Sequence, residues 1–187
     1  MTTTCQELLL SSLTDFYNNN PEHKVTLKEI IDGKHRLSLR LIDWFVTHYS
    51  KSLNVFYWIC EDNNDVFESY PIHISDTKDY KRINLYLDYR AQLKSYAKIN
   101  FDSFRRHDRI TFFLDIETNN YIETTIGQLN FFRWIFNNNI VFYMINNYDK
   151  IYQNMIDNNA FSKNKKTKRT HNNIQDITNT VCTLRFD

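Results

Sequence analysis

The residues whose type and spacing could do chemistry are cations. Arg90, Lys94 and Lys98 recur every four positions, a helical spacing that sets them in one row about 6 Å apart per step. Arg105, Arg106 and Arg109 follow, interleaved with Phe101, Phe104 and His107. Arginine and lysine in such a row can track phosphates, which supply most of the sequence-independent affinity for nucleic acid. A second cluster, Lys163, Lys165, Lys166, Lys168 and Arg169, has three readings: an electrostatic arm for nucleic acid, a nuclear-import-like address, or a solubilising stretch. The competing reading of the first row is a solvated helix face with Asp88 and Asp102 as partners.

The distribution of charge favours the nucleic-acid reading. The whole chain carries only +1. Between Lys78 and Arg109 nine Lys/Arg stand against four Asp, a net of +5, and residues 161–171 hold five Lys/Arg and no acid, another +5. The remainder therefore sums to −9. Solvation alone does not require that segregation.

Other chemistry finds no support. With two glycines in the chain, the glycine-rich phosphate loops of nucleotide-binding folds are absent. His107-Asp108 has no second ligand at metal-binding spacing, and the six histidines are scattered. Cys5, Cys60 and Cys182 are odd in number and far apart, which suits neither a disulfide framework nor a paired-cysteine zinc site. No serine or cysteine has the flanking pattern of an activated nucleophile. The expectation is a non-enzymatic protein without metal or cofactor. No apolar run approaches the roughly 20 residues that span a bilayer, and the N-terminus lacks a signal-peptide pattern, so no membrane partner and an intracellular location are expected.

These cations need elements to hold them. With 187 residues, 14 Phe and 12 Tyr, the chain can bury a core as one domain. Thr124–Asn139, T-T-I-G-Q-L-N-F-F-R-W-I-F-N-N-N, opens with Thr125 and Gln128 in a capping-box pattern and continues with aromatics around the helix. It predicts a helix packed on more than one side. Leu37, Leu41, Phe45 and Tyr49 predict an amphipathic helix over 37–51, with Asp43, Thr47, Ser50 and Lys51 on its polar face. Ile83 to Lys98 predicts a helix with Tyr86, Tyr89, Leu93 and Tyr96 inward and the cationic row outward. Ile140 to Ile156 predicts one more.

Val55 to Cys60 reads as a strand, with Ser69 to Ser75 as its partner, and Arg109 to Thr118 with Tyr121 to Thr125 as a hairpin about Asn119-Asn120. Asn18 to Pro21 stops a short N-terminal helix, and Thr26 to Ile31 is a small second one. The division expected is an extension over 1–24, an α+β core over 25–160 of helices on a small, mostly antiparallel sheet, a basic flexible segment over 161–175, and a closing strand over 176–187. Trp44, Trp58, Trp134 and most other aromatics read as core, with Tyr86, Tyr89 and Tyr96 beside the cationic row.

Three passages, R-L-S-L-R-L-I-D-W-F-V-T-H-Y-S-K (36–51), Y-L-D-Y-R-A-Q-L-K-S-Y-A-K-I-N-F-D-S-F-R-R (86–106) and I-E-T-T-I-G-Q-L-N-F-F-R-W-I-F-N-N-N-I (122–140), resemble an uncharacterised family of large nucleocytoplasmic DNA viruses, the iridovirus, phycodnavirus and mimivirus-like groups. The resemblance implies a viral origin in the host cytoplasm, a viral factory, the virion or the nucleus. It carries over no catalytic residue. Two functions remain in view: a nucleic-acid-associated protein of genome packaging, replication or late transcription, and a virion or scaffold component whose aromatic helices at 125–156 are partly exposed for a viral protein partner, with the apolar faces of the Leu129 to Phe136 helix divided between core and interface.

Overall fold

Polar side chains start four of the helices. Thr4, Ser38, Asn84 and Thr125 each precede a helix, and their side-chain oxygens accept from the backbone N–H three residues on, at Glu7, Leu41, Leu87 and Gln128 (3.1–3.3 Å), satisfying donors that a helix leaves orphaned at its start. In a computed structural model, which describes residues 4–60, 65–71 and 79–159, the elements run α1 (Cys5–Asn19), α2 (Pro21–Ile31), α3 (Leu39–Trp44), a π-turn (Phe45–Tyr49), α4 (Ser50–Leu53), β1 (Phe56–Cys60), β2 (Val66–Phe67), β3 (Tyr80–Asn84), α5 (Leu85–Tyr96), a 3-10 turn (Lys98–Asn100), β4 (Ile110–Asp115), β5 (Asn120–Thr124), α6 (Ile126–Asn137) and α7 (Ile140–Asn146). A last helix, α8, covers 148–159. The fold is α+β, with two small antiparallel sheets ordered β2-β1-β3 and β4-β5. The basic segment 161–175 and the closing strand expected over 176–187 lie outside the described residues.

α6 is the central rod. From Gly127 to Phe136 every residue except Arg133 is buried, because α1, the 3-10 turn and α7 all pack against it. Within the stretch 1–24, read as an extension, Leu13 and Tyr17 of α1 belong to this core: both are fully buried, and the Tyr17 hydroxyl donates to Leu129 O at 2.9 Å. On another side Tyr57 of β1 donates to Asn138 O at 2.6 Å and stacks on Tyr143 of α7.

Several expectations are corrected. α1 stops at Asn19 as the Asn18 to Pro21 stretch predicts, but α2 opens at Pro21 rather than at Thr26, since the N–H that proline lacks is one the first helical turn does not use. The helix over 37–51 contains a π-turn, in which Ser50 N–H reaches Phe45 O five residues back. The wider turn rotates Ser50 off the polar face and buries it fully. β1 pairs with Val66–Phe67; of the partner expected over Ser69 to Ser75, residues 69–71 form no strand and 72–75 lie outside the described residues. On its other side β1 pairs with Tyr80–Asn84, in register Phe56↔Asn84 to Cys60↔Tyr80. The following helix accordingly begins at Leu85, two residues later than its periodicity suggested. The helix expected over 140–156 breaks at Asn147.

Candidate nucleic-acid interface

The loop between α5 and β4 carries three of the arginines, and α6 fixes it. Phe101 is buried among Tyr89, Tyr96, Phe131 and Trp134. Asp102 N–H donates to Gly127 O at 3.2 Å, and the Gln128 amide donates to Ser103 O at 2.9 Å. Gln128 also accepts from the Thr124 hydroxyl at 2.8 Å. Thr125 therefore caps α6 as its sequence predicts, but the reciprocal half of the capping box is replaced by a clamp that ties the end of β5 to the loop. Beyond the clamp Asp102 Oδ1 accepts from Phe104 N at 2.9 Å, and Asp108 turns the chain with a φ of +58°, which aspartate tolerates better than most residues.

The result is an open cleft of about 470 Å³ between this loop, the edge of β5 and the end of α2, lined by Arg105, Arg106, Arg109, Phe104 and Tyr121 among others. Arg105 forms an ion pair with Asp108. Arg106 and Arg109 are exposed, and among the described residues neither has a carboxylate partner. Two carboxylates also line the cleft, and both are engaged: Asp32 lies 3.6 Å from each of Lys28 and Lys34, and Glu123 accepts from the Thr111 hydroxyl at 2.8 Å. In the lining three arginines thus stand against two carboxylates that are already engaged, leaving a positive rim able to attract anions.

The rest of the expected cationic surface is divided. Arg90 and Lys94 stand exposed on α5, outside the cleft lining. Lys98 leaves their row, because α5 ends at Tyr96 and Ala97 turns the chain with φ +56° and ψ 159°. It lies instead near Asp43. Burial pushes the Asp43 carboxyl above its ordinary range; a hydrogen bond from Ser103 opposes this, Asp102 adds to it, and His48 and Lys98 pull back. Lys165, Lys166, Lys168 and Arg169 lie outside the described residues.

The aromatics that share the cleft with the arginines are Phe104 and Tyr121, not the tyrosines of α5. Phe104, Phe113 and Tyr121 are 41%, 44% and 45% exposed, while Tyr89 and Tyr96 pack against Phe101. A signal for them exists in the hairpin's alternation. Phe112, Leu114 and Ile122 point inward, so Phe113 and Tyr121 occupy outward positions alongside Thr111 and Glu123, where polar residues belong. Of the helices at 125–156 expected to offer a face to a partner, the Leu129–Phe136 part is corrected by its burial, its apolar residues being at most 6% exposed, whereas Phe142, Ile145, Tyr152 and Ile156 stand exposed. Among the described residues no group of three or more His, Cys, Asp and Glu is placed to hold a metal ion, and no helix is long and apolar enough to cross a membrane.

Residues 1–183 match the model of a family of unknown function (DUF7197). The chain belongs to that family. "Uncharacterized protein L507" of Acanthamoeba polyphaga mimivirus is similar, 29% identical over 176 residues, which is 92% of this chain and 61% of that protein. The chain thus spans about three-fifths of the length of this viral relative, in agreement with the resemblance of its three long passages to a family of large DNA viruses. No solved structure matches it.

Proposed function

We propose that this DUF7197 chain is a non-enzymatic, nucleic-acid-associated protein of a large DNA virus, serving genome packaging, replication or late transcription, which holds phosphates at the cleft beside β5. The convergence of Arg105, Arg106 and Arg109 on that cleft carries the reading. Arginine on a fixed loop suits phosphate, because its planar fork donates two parallel hydrogen bonds without reordering the backbone. The loop is fixed through Gln128 and Phe101.

Binding of labelled oligonucleotides to the full chain, followed by fluorescence anisotropy across a salt series, tests this. The expected log-log slope is about 0.7 to 0.9 per phosphate neutralised. Reversing Arg106 and Arg109 together to Glu removes most of the affinity, whereas reversing Arg90 and Lys94 removes little. Salt-independent binding, or equal loss in both pairs, counts against the cleft.

A second reading, an interaction or scaffold component of the virus, draws on a different surface. Phe142 and Ile145 of α7, three apart, and Tyr152 and Ile156 of α8, four apart, are each 39–48% exposed on either side of the break at Asn147. Such an apolar stripe suits a protein partner. Sedimentation that stays monomeric for both the native chain and a Phe142→Glu variant, with no viral protein retained by either, would sink it.

A further inference from the structure

We infer that the ligand of the arginine cleft is single-stranded nucleic acid, with the outer face of the β4–β5 hairpin as its base-stacking platform; this rests on the proposed function and narrows its substrate class. Phe113 and Tyr121 are cross-strand partners on that face. Their ring centroids are 5.9 Å apart with planes at 60°, and each ring keeps nearly half its surface open. Tyr121 also lines the cleft, and Phe104 lines it from the arginine loop. Tyr121 and Phe104 therefore border a common space with the cations, and Phe113 continues the outer face beyond Tyr121.

That combination selects among nucleic acids. A duplex presents phosphates but hides the faces of its bases within the stack, so exposed rings beside the arginines add nothing to its binding. A single strand presents both. Its phosphates meet the guanidinium groups while unpaired bases lie on the aromatic rings, an arrangement that tolerates sequence because every base has a π-face. Ile116, 81% exposed beyond the end of β4, extends the apolar surface along the hairpin. A cross-strand aromatic pair also steadies a hairpin by itself, so hairpin stability and strand binding must be separated by experiment.

The full chain is titrated into labelled oligothymidine, oligouridine and a duplex of equal length at low salt. Tighter binding of either single strand than of the duplex is expected, and the two oligomers identify whether DNA or RNA is preferred. Phe113→Ala with Tyr121→Ala should weaken single-strand binding about tenfold or more, a larger loss than the same pair shows for the duplex. Phe113→Leu with Tyr121→Leu keeps apolar bulk on the hairpin and removes the rings, so the same loss in this pair confirms stacking even if the alanine pair fails to fold. Ultraviolet crosslinking of oligothymidine should map to the peptides holding these rings. Equal single-strand and duplex affinity, or full single-strand binding by the leucine pair, overturns the inference and leaves the phosphate cleft standing. Absence of binding to all three probes overturns both.

Discussion

α6 and the β4–β5 hairpin are both dense in aromatics and put them to opposite ends. In α6, Phe131, Phe132, Trp134 and Phe136 are 0–6% exposed, surrounded by α1, the 3-10 turn and α7. In the hairpin, Phe112 is 5% exposed and its neighbour Phe113 44%. A two-stranded sheet buries one face, so alternation delivers every second ring to solvent. Aromatic content alone therefore says nothing about availability. Period and neighbours decide which rings are structure and which are free for a ligand.

The sharpest way to break this contrast is to shorten one ring on each element. Phe132→Ala should cost about 3 to 5 kcal/mol, for lost burial plus the cavity left behind, while Phe113→Ala should cost less than about 1 kcal/mol. Urea denaturation of the two variants measures both. Similar losses would mean that the hairpin's outer rings serve stability after all. Gly127→Ala comes next. A Cβ there would lie 2.9 Å from Ile99 O and 3.4 Å from the amide nitrogens of Phe101 and Asp102, all backbone, so overpacking of about 1 to 3 kcal/mol outweighs any gain in helix propensity. Thermal unfolding checks it. Because that contact holds the arginine loop, the same variant should also weaken oligonucleotide binding.

Smaller effects sharpen the picture of α6. Thr125→Ala removes the hydroxyl that accepts from Gln128 N at 3.1 Å, and a loss of about 1 kcal/mol is expected in denaturant midpoint. The least is a pH effect. His23 stacks on Phe136 with centroids 4.4 Å apart and planes at 6°; burial lowers its pKa from the ordinary 6.5, and Glu22 opposes part of that shift. As pH falls below that value the unfolded chain takes up the proton first, so stability declines with acidification. His23→Gln should flatten the decline, measured as urea midpoints on either side of 6.5.

Legibility in the sequence follows from how many constraints coincide. α6 was legible because a cap residue and an all-round apolar helix agree, and the hairpin because its alternation surrounds Asn119-Asn120. β3 was hidden. Tyr80-Lys-Arg-Ile-Asn84 buries only Ile83, which suffices for a strand at the edge of its sheet but leaves no hydrophobic pattern to see. The π-turn was hidden for another reason: Leu41, Phe45 and Tyr49 fit an unbroken α-helix equally well. Of the candidate site, Arg105, Arg106 and Arg109 were found by type and brought together by the fold. Lys98 was misplaced because four-residue spacing carries no notice that the helix has ended at Tyr96.

The π-turn has a consequence for changes of length. Ser50 finds after five residues an acceptor that an α-helix reaches after four. Deleting one residue between Phe45 and Tyr49 would close the wide turn into an ordinary α-helical one and leave Ser50 in its present phase, whereas a deletion within α3 would rotate everything beyond it by about 100°. Val55, whose N–H donates to Ser50 O at 3.1 Å, and β1 behind it would leave the helix from a different side in the second case alone. The π-turn thus absorbs one supernumerary residue without disturbing the phase between the helices and the three-stranded sheet, and it is the point in this helix where a single deletion is best tolerated.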